Sequence, residues 1–393
     1  MNDSFLEQGL AQTTLHPLGL EVTRANGSFL YHPDGKRTLD FISGIGVSSF
    51  GHNHPEIIAA IHDQVDRHLH VMVYGEFRQS AQHQAADHLL TLLPSHLDSV
   101  YFVNSGAEAI DAAMKLTRRS TQRQKICSFY GGYHGNTYGA LSVSANAQRK
   151  RPFAPLVGDV EQLPWNDLEG LGSIDESTAG VILETIQGDA GIRIPDETWM
   201  VALRRRCTDV GAKLVLDEIQ CGMGRTGKAF AFEHFGMEPD YLCLGKALGG
   251  GLPMGALVAP SNEMRLFAEK PSLGHITTFG GHPVPCAASA VATKLLAQMD
   301  WERVERIGQS IEDRILATGK AQKVRRKGLY IAVELADASQ VQKVVENALN
   351  QGVLIFFFLS TPQAFRIAPP LTISEEELSF GLEVLTTVLE DEI

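Results

Sequence analysis

Residues 241–251 read YLCLGKALGGG, a short apolar run that stops at a lysine and a string of glycines. The same design recurs through the middle of the chain. Short β-rich runs at 100–103, 126–129, 181–183, 214–216, 241–244 and 255–258 alternate with helical stretches such as 107–118 and 198–210. That alternation predicts an α/β domain with a largely parallel sheet. Five of the six runs lead straight into polar or glycine-rich clusters: NSGAEA, YGGYHG, ETIQGD, DEIQ and GKALGGG. Ligands of open α/β sheets bind beyond the carboxyl ends of the strands. The five clusters are therefore expected to converge on one edge and to form the active site there.

Outside this core the pattern changes. Before it, short strands at 28–31 and 39–42 are joined by the turn Pro33-Asp34-Gly35, and Ile57, Ile58, Ile61 and Val65 mark one face of a helix. After it come a long amphipathic helix at 294–316, a half-buried strand at 329–335 and a helix at 341–349. An apolar run at 353–359, a strand at Arg366-Ile367 and a final helix from Ser374 complete the chain. The predicted organisation is a large domain over 51–290 and a smaller α+β domain over 291–393, with 1–50 the N-terminal segment of the small one.

Composition narrows the function. The 393 residues are 44% hydrophobic and 20% charged, and the formal charge of −12 argues against nucleic acid or an anionic membrane as partner. The basic run Lys323, Arg325, Arg326 and Lys327 reads as a solvated turn ahead of a strand. Five scattered cysteines without a CxxC pair suggest neither a disulfide framework nor a metal site, and Cys127 and Cys243 read as small core residues. The N-terminal stretch MNDSFLEQGL is not a signal peptide in pattern, and no apolar run reaches the ~18 residues of a membrane span. A cytoplasmic location is expected.

The clusters carry chemistry. Lys246 ends a buried apolar run, where an amine is costly unless it is paired, neutral or covalently modified. The glycines beside it would let a bulky ligand approach the backbone. A desolvated lysine of lowered pKa suits Schiff-base chemistry. Asp217 ends its own run, where it reads either as a cap or as a partner for a protonated pyridine nitrogen. Ser105, Gly106 and Ala107 sit where a strand turns into a helix, a ready phosphate site, and Glu108 suits a capping box. Tyr133, between glycines and beside His134, offers an aromatic plate for a planar ring.

Residues 222–227, GMGRTG, match G-x-G-x-x-G, and Lys228 extends them towards a Walker loop. The nucleotide reading fails because Ala229 stands where a Mg²⁺-binding Ser or Thr is needed, and Gly236 and Pro239 leave no room for a long helix.

In this order the motifs closely resemble the class III aminotransferases, the group of ornithine, acetylornithine and 4-aminobutyrate aminotransferases. The resemblance runs from Leu39-Asp40-Phe41 and Gly51-His52-Asn53-His54-Pro55 to Phe365-Arg366-Ile367-Ala368-Pro369-Pro370-Leu371. It implies a pyridoxal 5'-phosphate (PLP) enzyme of fold type I, a homodimer with shared active sites, and ping-pong transfer of an amino group from a terminal amine to a 2-oxo acid. Lys246 would be the Schiff-base lysine and Asp217 the partner of the pyridinium nitrogen. Gln220 would lie near the cofactor's phenolic oxygen, Tyr133 on the ring, Glu184 behind it and His134 in the same cofactor layer. Ser105, Gly106 and Ala107 would hold the phosphate, and Thr278 would reach the partner subunit's cofactor. Arg366 would bind a substrate carboxylate, with Asn136, Asp189 and Thr277 also at the substrate.

Two positions depart from the group's pattern. Asp189 replaces a Glu that pairs with the arginine, and the shorter side chain has less reach. Asn136 replaces an Arg, which removes a carboxylate clamp and widens the expected donor range to amines without a second carboxylate. The alternative within the fold is an aminomutase or racemase, which would use the same lysine and aspartate.

Overall fold

The computed structural model describes residues 9–15 and 17–392. Residues 1–8, most of the segment read as lacking a signal-peptide pattern, lie outside the described residues. A seven-stranded sheet forms the centre. Its spatial order is Ser99–Val103, Gly255–Ala259, Tyr241–Gly245, Lys213–Asp217, Thr178–Glu184, Lys125–Phe129 and Val160–Leu163. The expected α/β class holds, with two refinements. Gly255–Ala259 runs antiparallel to both neighbours. The chain returns to it through residues 246–254 only, fewer than the roughly dozen residues a parallel crossover needs. Val160–Leu163 is an additional edge strand, parallel to Lys125–Phe129, whose central Glu161-Gln162 hides it from an apolar search.

The runs are apolar throughout because both faces of the sheet are covered. Successive strand residues point to opposite sides. Tyr101, Val103, Ile182, Val215, Cys243 and Leu257 pack with the helix Gly106–Thr121 through Ala109, Ile110, Ala113 and Leu116. Phe102, Val181, Leu183, Leu214, Leu216 and Leu244 belong to the opposite cluster, with Trp199, Met200 and Leu203 of the helix Glu197–Val210. All five cysteines are buried free thiols.

Two smaller sheets flank this core. Arg24–Asn26, Phe29–Tyr31 and Arg37–Asp40 form an antiparallel meander, which Val353–Leu354 completes in parallel against Arg37–Asp40. Lys323–Lys327, Tyr330–Glu334, Ala364–Ile367 and Phe356–Phe357 make an antiparallel sheet. The expected run at 353–359 is thus split between two sheets at Ile355.

Four expectations need correction. The basic run is a strand, not a turn: Arg325 pairs with Glu334, and Arg326 reaches Glu312 at 2.8 Å and Glu305 at 2.9 Å, so its two arginines are paired with carboxylates. The single helix at 294–316 is two, Pro283–Ala297 and Trp301–Ala317, separated where Asp300 caps the second by accepting from Arg303 N at 3.0 Å. A domain boundary at 290/291 would therefore cut through the first of these helices. In the helix Pro55–Arg67, Ile57 and Gln64 are buried and Val65 is exposed, and Gln64 Nε2 donates to the His68 carbonyl at 2.9 Å. The strand Tyr330–Glu334 is buried on both faces from Tyr330 to Val333 rather than half-buried, since it lies between two strands and over a covered core.

The glycine loop 222–227 is a structural knot. Arg225, 1% exposed, donates to the carbonyls of Leu329 (3.2 Å) and Pro369 (2.6 Å) and to Ser49 Oγ (3.0 Å). Burial pulls its pKa down to about 10. A 3-10 turn, Ala231–Phe235, follows in place of a long helix.

Candidate active site

The carboxyl ends of Ser99–Val103, Lys125–Phe129, Thr178–Glu184, Lys213–Asp217 and Tyr241–Gly245 lie on one edge of the central sheet. The five polar clusters therefore meet. Register does the fine placement: Glu184 is paired with Asp217 across adjacent parallel strands, so both side chains leave the sheet on the same face. Lys246 follows the last residue of its strand with φ of +47°, a left-handed conformation that is uncommon outside glycine and turns the chain sharply at this point.

A cavity of about 340 Å³ opens at this edge, lined by Lys246, Asp217, Glu184, Gln220, Tyr133, His134, Asn136, Gly106 and Ala107, among others. Burial lowers the pKa of Lys246, against the opposing charges of Asp217 and Glu184. Asp217 uses both oxygens. Oδ2 accepts from His134 Nδ1 at 2.7 Å, and Oδ1 accepts from Ile219 N at 3.0 Å within a turn rather than at the start of a helix. His134 is buried, and burial disfavours its charge. The bond and charge of Asp217, with Glu184 behind, outweigh that and hold its pKa above the ordinary imidazole value. Glu184 accepts from Tyr133 N at 2.9 Å and Gly188 N at 2.8 Å, and burial pushes its pKa up to about 7.

The turn at 104–108 is built as the sequence suggested, with one change. Ser105 Oγ accepts from Glu108 N at 3.2 Å, but the Glu108 carboxylate reaches Asn104 N at 2.7 Å, one residue before the expected return. The first N–H groups of this sixteen-residue helix have no acceptor within it and lie at the cavity wall. Two glycines make the wall tight. A Cβ on Gly106 would stand 2.7 Å from Ile219, and one on Gly135, at φ +127°, would stand 2.6 Å from Ala107. By contrast, Gly250, expected to admit a ligand, packs instead against Ile57 and Ala288.

Gln220 Oε1 accepts from Tyr330 OH at 2.9 Å, which carries the site to the small domain. From there Arg366 enters, 6% exposed, with its guanidinium 4.3 Å above the Phe358 ring and its Nε without a hydrogen-bond partner among the described residues. Asp189 does extend towards it, but the separation is 3.8 Å, too long for a hydrogen bond. Asp189 is held instead by Leu359 N (3.1 Å) and Ser360 Oγ (2.5 Å). Asn136 is exposed and donates to Tyr133 OH at 3.3 Å.

Thr277 and Thr278 stand apart from this cavity. Thr277 Oγ1 accepts from Gly280 N at 3.1 Å and from Asn104 Nδ2 at 3.4 Å, a loop-bracing role rather than a substrate contact within this chain. Thr278 is exposed. The sequence reading missed Tyr330, Ser360 and Arg149, which come from a strand, a bend and a short helix without a motif. It also gave Glu218 no role, although its buried carboxylate anchors the loop by accepting from Thr185 Oγ1, Ala231 N and Phe232 N at 2.6–2.8 Å.

The residues suit PLP: a buried amine, a buried carboxylate backed by an imidazole, an aromatic plate, and a helix N-terminus beside glycines on one cavity. Comparison with known proteins agrees. Residues 10–389 match the family model of class III aminotransferases. The chain is 39% identical to the acetylornithine aminotransferase of Methanopyrus kandleri, over 92% of each protein. It is 35% identical to the putrescine aminotransferase of Pectobacterium atrosepticum, covering 99% of this chain and 86% of that one. Among solved structures, the ornithine aminotransferase of Toxoplasma gondii, with partial occupancy of PLP at its active site, superposes with a TM-score of 0.91. It covers 98% of this chain and 92% of that one at 27% identity.

Proposed function

Because the chain belongs to the class III aminotransferases, and is thus a PLP-dependent transaminase, we propose roles for its residues in moving an amino group from a terminal amine to a 2-oxo acid. The observation that carries the assignment is Lys246 on one cavity with the buried Asp217–His134 pair. When bound, PLP supplies an electron-withdrawing ring that accepts the electron pair released at the substrate carbon. Lys246 would hold the cofactor's aldehyde, and its free amine would carry the proton taken from the substrate carbon that bears the nitrogen. Its lowered pKa makes the free amine available as that base, a contribution worth about 10²–10⁴-fold.

Asp217 holds the proton on the ring nitrogen, and His134 fixes the carboxylate that does so. Tyr133 would cover the ring and Gln220 would meet its phenolic oxygen, while Glu184 ties the Tyr133 backbone by accepting from its N–H. Ser105, Gly106 and Ala107 receive the phosphate at a helix end. Arg366 takes the carboxylate of the 2-oxo acid, where a planar fork favours bidentate pairing. Asn136 and Asp189 border the donor. The two half-reactions alternate, the donor leaving as a carbonyl compound and the 2-oxo acid leaving as an amino acid. Nothing in the comparisons favours the aminomutase or racemase alternative.

A homodimer is part of this reading. Leu69, Val71, Met72, Phe77, Ile276 and Phe279 are large apolar residues left exposed on one chain, in the segments that also carry exposed Thr278. Among the described residues no helix is long and apolar enough to cross a membrane, and the acidic balance argues against nucleic-acid partners; a cytoplasmic location is part of the same reading.

The test is borohydride reduction of the holoenzyme followed by peptide mapping. The cofactor should be fixed to the peptide containing Lys246, and Lys246→Ala should abolish turnover while the fold survives. Labelling of another lysine would overturn the assignment.

A further inference from the structure

The loss of a cation at Asn136 predicts a donor site without charge, yet a second arginine stands at that site. Arg149 lies on the short helix Ala147–Lys150, whose backbone is pinned by Asn146 Oδ1 accepting from Gln148 N (3.1 Å) and Arg149 N (3.2 Å). Lys150 Nζ anchors the same turn to the Ser142 carbonyl at 2.8 Å. The Arg149 side chain is 34% exposed. It lines a side chamber of about 160 Å³ with Tyr133, Asn136, Asp189 and Ser360. Tyr133 and Asn136 also line the cavity that holds Lys246, so the two spaces adjoin across these residues.

The guanidinium has no committed partner. Its nearest carboxylate is Asp189, with Nη1 3.9 Å from Oδ2, and among the described residues it makes no hydrogen bond. Asp189 is already bonded to Leu359 N and Ser360 Oγ, and Arg366 stands 3.8 Å from its other oxygen. Two guanidinium groups therefore share one carboxylate without a direct bond to it. Turning Arg149 towards a substrate would break no hydrogen bond, and a substrate carboxylate would give it the bidentate contact that Asp189 does not.

We propose that Arg149 receives the carboxylate at the far end of the amine donor, so that the preferred donors are terminal amines bearing an anionic group remote from the reacting nitrogen. The inference rests on the transaminase reading and names the donor class of that same site. It narrows the wide donor range expected from Asn136, which included amines without a second carboxylate.

The experiment uses the holoenzyme and two donors of equal chain length, δ-aminovalerate and pentylamine, with loss of the cofactor absorbance band as readout. Calorimetric titration with glutarate, which carries carboxylates but no amine, measures binding independently of turnover. For the wild type, kcat/KM should favour δ-aminovalerate by at least about tenfold, the order expected for one charge-assisted pair. In Arg149→Ala that ratio should fall towards one, and glutarate should bind about tenfold more weakly. Arg149→Lys should keep part of the preference, and Arg149→Gln, close in shape but neutral, serves should the alanine variant fail to fold. A wild-type ratio near one, or a ratio and glutarate affinity unchanged by loss of the charge, overturns the proposal. If neither amine discharges the wild-type cofactor, the terminal-amine reading itself falls, and the glutarate titration still decides whether Arg149 binds a carboxylate.

Discussion

His134 and Asp217 form a buried pair in which imidazole Nδ1 donates to carboxylate Oδ2 over 2.7 Å, although one lies in the loop after Lys125–Phe129 and the other ends the strand Lys213–Asp217. The pair gives a carboxylate only 3% exposed a hydrogen-bond donor at the floor of the cavity. It also ties the loop after Lys125–Phe129 to the strand Lys213–Asp217.

Removing Asp217 should therefore have two separable effects. Asp217→Ala strips the ring nitrogen of its partner and should cost several orders of magnitude in kcat/KM, at about 1.36 kcal/mol per tenfold. It also leaves a buried imidazole N–H unpaired, so the unfolding free energy should drop by about 1–3 kcal/mol. Asp217→Asn should lose most of the activity with a smaller loss of stability. Activity of Asp217→Ala within about tenfold of wild type would reduce the residue to a cap.

Glu184 links stability to pH. Burial raises its pKa from 4.5 to about 7, so the folded state binds its proton more tightly than the unfolded chain. Its contribution is complete below pH 4.5 and is lost as pH rises through about 7. Urea midpoints of wild type and Glu184→Gln, measured at intervals across that window, should show a decline in the wild type that the variant lacks. The difference should be on the order of a few kcal/mol at most. Parallel curves would mean that Glu184 is ionised throughout.

Gly135 should tolerate no side chain. Gly135→Ala meets both the +127° φ and Ala107 at 2.6 Å, and the obstacle is helix backbone and its Cβ rather than a flexible chain end. PLP affinity should fall by at least about tenfold, with a stability loss of about 1–3 kcal/mol. Equilibrium dialysis of the cofactor and thermal melts of the apoenzyme measure the two effects separately.

Thr278 should act across the dimer. Hybrids of Lys246→Ala and Thr278→Ala subunits would contain one site with wild-type Lys246 and wild-type Thr278 from opposite chains. Cofactor affinity at that site should return to the wild-type value. No recovery in verified hybrids would place Thr278 in its own subunit's site.

The central sheet could be read from the sequence because each buried strand is an unbroken apolar run ended by a cluster that has no reason to be apolar. Lys246, Asp217 and Ser105 were visible at those run ends. What stayed hidden lacked such contrast. The direction of Gly255–Ala259 depends on a short return rather than on its own residues. Val160–Leu163 is an edge strand and tolerates Glu161 and Gln162. Lys323–Lys327 is also an edge strand, where charges are tolerated because one side has no neighbour, and its charges looked like a turn. Arg149 sits in the run Arg149-Lys150-Arg151, which reads as a solvated cationic face. Only the fold brings it beside Tyr133.

The parallel pairing of Leu39 with Val353 has a consequence for how the chain is made. The meander Arg24–Asp40 leaves the ribosome before the central sheet, and its fourth strand, Val353–Leu354, leaves after it. Joining them closes a loop that spans almost the whole protein, and ordering so much chain carries a large entropic cost unless the intervening segment has already collapsed. The central sheet must then assemble first and bring its two ends together, with the nascent meander waiting as an open edge. Completion of the meander thus waits on the strand Val353–Leu354, which follows the whole central sheet in the chain.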